Sequence, residues 1–186
     1  MLKFALIGAG RIGRMHGSII ADHTKTELVW VYDILEDNAI NTANTTQARV
    51  AKSLDEIFED DSLDAVLIAS STETHAELIV RAAKAGKAVF CEKPIDLDIK
   101  RVDWCREQIQ GLQVPVQIGF NRRFDPSHRK VADTARDGGI GHLEQVIITS
   151  RDPNPPPKEY YMAAGGMFRD MTIHDFDMAR YVLNEE

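Results

Sequence analysis

A glycine-rich turn, Gly8-Ala9-Gly10-Arg11-Ile12-Gly13, stands where an apolar run gives way to helix-spaced apolar positions. The run, Lys3 to Ile7, reads as a strand. The pattern after it, Ile12, Met15, Ile19 and Ile20 within Arg11 to Ala21, reads as a helix. A second apolar run, Glu27 to Tyr32, ends at Asp33, twenty positions after Gly13. Strand, G-x-G-x-x-G turn, helix and a later acid at a strand end form the fingerprint of a dinucleotide-binding βαβ unit. Gly8 permits the tight turn, and Gly10 lets the backbone approach a pyrophosphate on the helix N-terminus. Gly13 allows helix and strand to pack closely, and Arg11 and Ile12 belong to the same cofactor-binding turn. The plainer alternative is a glycine-rich structural turn.

Asp33 selects the dinucleotide. A carboxylate there accepts hydrogen bonds from ribose hydroxyls and repels a 2′-phosphate. Ile34-Leu35-Glu36 offer no cation to receive that phosphate, so NAD is expected rather than NADP. A plain turn cap is the competing role for Asp33.

Strand and helix patterns keep alternating. Further strands are expected at Val50-Ala51, Ala65 to Ala69, Lys87 to Cys91 and Val116 to Gly119. Helices are expected at Glu36 to Thr46, Leu54 to Glu59, Thr74 to Ala85 and Leu97 to Gln110. Continuous apolar strands separated by helices predict a parallel sheet covered on both faces, the doubly wound α/β (Rossmann) arrangement. The composition shifts at Asn121-Arg122-Arg123-Phe124-Asp125-Pro126, which places a boundary between residues 1–120 and 121–186. The second part reads as a helix (Ser127 to Arg136), a strand (Leu143 to Thr149), a proline loop and a last helix from about Phe168 to Leu183. It is the start of a second α/β domain.

Composition narrows the partners. The 186 residues carry 22 basic and 29 acidic side chains, a net charge of −7, with no basic cluster. Nucleic acid and anionic membrane are therefore not expected partners. No apolar run approaches the length of a membrane span. Two isolated cysteines, Cys91 and Cys105, without CxxC spacing point to a reducing, cytoplasmic setting. No Cys/His/carboxylate spacing suggests a metal.

At Val89-Phe90-Cys91-Glu92-Lys93-Pro94 the chain resembles the Gfo/Idh/MocA oxidoreductase family, whose members carry E-K-P after the fifth strand. Ser71-Thr72-Glu73-Thr74-His75 and Gly119-Phe120-Asn121-Arg122-Arg123-Phe124-Asp125 match two further family segments. Ser150-Arg151-Asp152-Pro153 and Gly165 to Asp175 resemble its inositol-oxidising branch. Independently of the family, Lys93 lies just past a parallel strand's C-terminal end, where open α/β sheets bind ligands. An amine there can hydrogen-bond a substrate hydroxyl. Asp170 and His174 are spaced i, i+4 and share one face if the segment is helical. Histidine suits a general base near neutral pH, and a carboxylate can orient it. Unaided, both features also fit solvated surface residues.

The resemblance implies that Lys93, Asp170 and His174 form the catalytic set and also contact substrate. It implies that Ser70, Ser71 and Thr72, with His75, Glu92 and Lys93, lie along the cofactor, although His75 and His16 equally fit core or capping roles. Arg122, Asp152 and Asn154 are implied contacts to substrate hydroxyls. Asp175 and Asp177 lie on other helix faces and stay outside the set. The implied activity is NAD-dependent oxidation of a secondary hydroxyl of a cyclic polyol, myo-inositol to its 2-keto form. The alternatives are another sugar or polyol, or a non-catalytic NAD-binding regulator. Ser150 departs from members with histidine there, which bears on the polyol. The resemblance further implies a chain nearly twice this length, a larger second-domain sheet and a homo-oligomer.

Overall fold

The structure, a computed structural model, describes residues 1–151, 154 and 164–185. They divide into two compact units, Met1–Gly119 and Phe120–Glu186.

The first unit holds six strands: β1 (Leu2–Ile7), β2 (Thr26–Tyr32), β3 (Arg49–Val50), β4 (Ala65–Ile68), β5 (Ala88–Cys91) and β6 (Val116–Ile118). All pair in parallel, in the order β3-β2-β1-β4-β5-β6. Five helices cover them: α1 (Arg11–Asp22), α2 (Glu36–Thr46), α3 (Leu54–Phe58), α4 (Thr72–Lys84) and α5 (Ile99–Ile109). This is the doubly wound sheet expected from the alternation.

Period-two side chains explain the two layers. Ala5, Ile7, Val66, Ile68, Val89 and Cys91 join the core containing Ile57, Ile79 and Cys105. Leu6, Leu28 and Leu67 join the other core, with Ile20, Ala39 and Ala43. Each fully buried aliphatic side chain contributes about 1.5–3 kcal/mol. Ser53 caps α3 by accepting from the Glu56 N–H, and Asp98 caps α5 through Lys100 N–H. The order in which the chain adds strands reverses between β1 and β4, whose last residues Ile7 and Ile68 are paired. A ligand crevice opens at such a switch point, beyond the strand ends.

The second unit contains a short 3-10 turn (Asn121–Phe124), α6 (Pro126–Arg136), α7 (Met167–Asp170) and α8 (Thr172–Leu183). Asp125 caps α6 by accepting from the Ser127 and His128 N–H groups, with Pro126 at its first position. Ala132, Met178 and Val182 form a small core with Leu143 and Val146 packed against it. Two expectations are corrected. Leu143 to Thr149 forms no strand, because no second extended segment among the described residues pairs with it and a lone strand leaves its N–H and C=O groups unmatched. The last helix is not continuous: Met171 (φ −101°, ψ −54°) separates α7 from α8. Among the described residues no helix is long and apolar enough to cross a membrane.

Candidate functional site

The turn between β1 and α1 is held from three sides. Gly8 has φ +93°, and a Cβ there would lie 2.4–2.6 Å from Ser70 N and the Ala69 carbonyl. A Cβ at Gly13 would lie 1.8 Å from Gly8 O, so only glycine lets α1 start so close to the turn. A Cβ at Gly10, by contrast, would meet nothing within 4 Å. Its Cα borders open space at the mouth of α1, where the first-turn N–H groups point. Asp33 closes the crevice: Oδ2 accepts from Ala9 N at 2.6 Å and Oδ1 from Leu35 N at 2.8 Å.

A cavity of about 650 Å³ runs along these residues. Gly8, Gly10, Asp33, Ser70 and Ser71 line it, and so do Tyr32, Leu35, Leu54 and Leu78, which no motif marks as site residues. Their signal is only an apolar side chain next to a strand or helix end, which a core residue shares. Ser70 to Thr72, expected along the cofactor, lie just beyond β4. Ser70 Oγ meets Thr74 Oγ1 at 2.7 Å, Thr74 Oγ1 donates to the Ser71 carbonyl at 2.7 Å, and Thr72 opens α4. The hydroxyl-rich link ties the crevice wall to a helix N-terminus.

Glu92 and Lys93 follow β5, and the Lys93–Pro94 peptide is cis. Glu92 Oε1 lies 2.8 Å from His16 Nε2 on α1. Burial pushes the Glu92 carboxyl up, but the hydrogen bond and charge of His16, with the N–H and charge of Lys93, hold it below the ordinary carboxylate range. His75 is buried, with Nδ1 2.8 Å from Pro94 O and Nε2 3.0 Å from Ser70 O. Its ring nitrogens face backbone carbonyls, in keeping with the core role that the sequence left open.

In the second unit Asp170 ends α7 and His174 lies in the first turn of α8. Met171, which lies between the two helices, keeps a right-handed helical conformation. Arg122 pairs with Asp175, and its Nη1 also donates to Ser150 Oγ at 3.1 Å. Ser150 Oγ donates to Asp175 at 2.5 Å. Burial raises the Asp175 carboxyl, and the hydrogen bonds of Ser150 and Arg122 with the charges of Arg122 and His174 bring it below its usual value. Arg123 grips Asp177 through Nε (2.9 Å) and Nη2 (2.7 Å). Asn154 is exposed, and Asp152 lies outside the described residues. Among the described residues no group of His, Cys, Asp or Glu is arranged to hold a metal ion.

Residues 2–120 match the model described as "Oxidoreductase family, NAD-binding Rossmann fold", and residues 128–186 match the GFO/IDH/MocA C-terminal domain. The chain belongs to the Gfo/Idh/MocA oxidoreductase family. It is 48% identical to inositol 2-dehydrogenase of Rhizobium meliloti and 43% identical to myo-inositol 2-dehydrogenase of Thermotoga maritima. Each match covers 100% of this chain and 56% of the relative. A crystal structure of a myo-inositol dehydrogenase from Corynebacterium glutamicum superposes with a TM-score of 0.92 at 47% identity, over 98% of this chain and 55% of that one. The chain thus spans little more than half the length of the relatives it matches. Within this Gfo/Idh/MocA chain the residues fit NAD: Gly10 leaves the cradle that a Cβ would fill, and the Asp33 carboxylate stands at the end of β2. The first unit is an NAD-binding Rossmann domain.

Proposed function

We propose that the protein containing this chain is an NAD-dependent dehydrogenase that oxidises a secondary hydroxyl of a cyclic polyol, myo-inositol to its 2-keto form. The observation that carries the reading is the 48% identity to an inositol 2-dehydrogenase across both units. Gly8, Gly10 and Gly13, with Arg11 and Ile12, hold the pyrophosphate on α1, and Asp33 holds the adenosine ribose. Ser70, Ser71 and Thr72 border the other end of the cofactor. NAD, when bound, supplies the hydride acceptor. Lys93 donates a hydrogen bond to the reacting hydroxyl oxygen and stabilises its developing negative charge. His174 takes the hydroxyl proton, and Asp170 orients the imidazole and stabilises its protonated form. Arg122, carried by its link to Asp175 and Ser150, presents donors to further hydroxyls, with Asp152 and Asn154 as additional contacts. The buried thiols Cys91 and Cys105 support a reducing, cytoplasmic setting, and a homo-oligomer completes the proposal.

The test is NAD reduction by the full-length protein over a panel of inositols and hexoses, with His174→Ala alongside. Myo-inositol is the preferred substrate, and His174→Ala lowers kcat by about 10²–10⁴-fold with NAD affinity unchanged. Preference for a hexose would move the assignment to another polyol. NAD binding without any turnover would leave a regulatory protein.

A further inference from the structure

Lys93 sits between two residues that are each tied to a different helix of the cofactor crevice. Before it, Glu92 reaches His16, one turn past the glycine turn on α1, at 2.8 Å. The same carboxylate receives the Lys93 backbone N–H. It has little room to move: the His16 ring packs edge-on against Phe90 with centroids 5.4 Å apart, and a Cβ at Gly119 would lie 3.2 Å from the carboxylate carbon and both oxygens. After it, the Pro94 carbonyl meets His75 Nδ1 on α4 at 2.8 Å, while Nε2 of the same ring meets Ser70 O at 3.0 Å. His75 therefore sits between the Lys93 loop and the end of β4 with one ring nitrogen on each carbonyl; a ring carrying both N–H groups donates to both, and a neutral ring donates to one.

We infer that His16 and His75 are positioning residues for Lys93, one acting through Glu92 and the other through Pro94. The inference rests on the proposed role of Lys93 at the reacting hydroxyl. Its physical content is that a flexible four-carbon amine is aimed by fixing the backbone on both sides of its Cα. A backbone held at two points keeps the ammonium within the narrow range that productive geometry tolerates. Because α1 opens at the phosphate turn and α4 at the Ser70–Thr72 link, the elements that receive NAD also set the lysine.

The experiment reads Lys93 directly, without turnover. Acetic anhydride labelling, followed by mass spectrometry, compares Lys93 with exposed Lys52 in the full-length protein and in His16→Ala, His16→Gln and His75→Asn. Glutamine places an N–H near the position of Nε2. The expected result is a change in Lys93 labelling of about fivefold or more in His16→Ala, with Lys52 unchanged and His16→Gln close to wild type. The kcat for polyol falls with it, while the NAD dissociation constant holds. His75 is buried, so circular dichroism accompanies its variant; if that variant unfolds, the His16 pair decides. Unchanged Lys93 labelling in His16→Ala overturns the inference. So does a change that glutamine fails to restore, since packing on Phe90 would then be the cause. Expected labelling in a protein that oxidises no polyol would keep the positioning role and discard the dehydrogenase reading.

Discussion

The Asp33 carboxylate accepts a hydrogen bond from Ala9 N–H at 2.6 Å, which ties the end of β2 to the middle of the phosphate turn. One side chain thus orders the glycine turn and presents its charge to the adenosine ribose. Its other oxygen is engaged by Leu35 N at 2.8 Å, so the carboxylate cannot swing away from the crevice.

Replacing Asp33 by alanine removes both functions. NAD affinity falls by about 10–100-fold, the weight of a charge-assisted hydrogen bond, and the gap between NAD and NADP narrows. Calorimetric titration with both dinucleotides checks this. Equal losses for the two would mean that Asp33 does not read the ribose.

Gly10 and Gly13 separate binding from folding. Gly10→Ala puts a methyl group into open space, so the melting temperature stays and NAD affinity drops. Gly13→Ala drives a methyl group to within 1.8 Å of Gly8 O, so the turn shifts and both quantities fall. Thermal melts beside NAD titrations read the contrast. A Gly10→Ala chain with undiminished affinity would count against the phosphate cradle.

Asp60 makes stability depend on pH at the acid end. Hydrogen bonds from Ser62 and the Trp30 indole lower its pKa to about 2 from an ordinary 3.8. A depressed folded-state pKa contributes stability above the unfolded value and loses it as pH falls through the folded one. Urea midpoints followed by tryptophan fluorescence should show wild type losing its advantage over Asp60→Asn between about pH 4 and pH 2. A constant difference across that window would remove Asp60 from the acid response.

Thr42 carries a buried hydroxyl in α2 without a hydrogen-bond partner among the described residues. Thr42→Val replaces it with a methyl group of similar size and should raise stability by about 1 kcal/mol, since an unsatisfied buried hydroxyl costs about that much. Denaturant unfolding measures the difference. A destabilised variant would reveal a partner for the hydroxyl in solution.

Much of the first unit was legible in the chain because its signals are local. Continuous apolar runs, a G-x-G-x-x-G turn and an acid at the end of β2 all act within a few residues. They specified the doubly wound sheet and the phosphate turn. Tertiary structure alone decided what long-range contacts decide. His16 meets Glu92 and His75 meets Pro94 only because α1 and α4 pack on the sheet beside the end of β5. Arg122 finds Asp175 across more than fifty residues, a pairing that no spacing announces. The same physics explains the two corrections. Leu143 to Thr149 has a strand's composition, but strand structure belongs to a pair of segments and not to one. The apolar pattern from Phe168 to Leu183 reads as one helix, and it does not announce that one helix ends at Asp170 and the next starts at Thr172. Local steric preference is written residue by residue, while pairing is settled only when distant parts of the chain compete for the same partner.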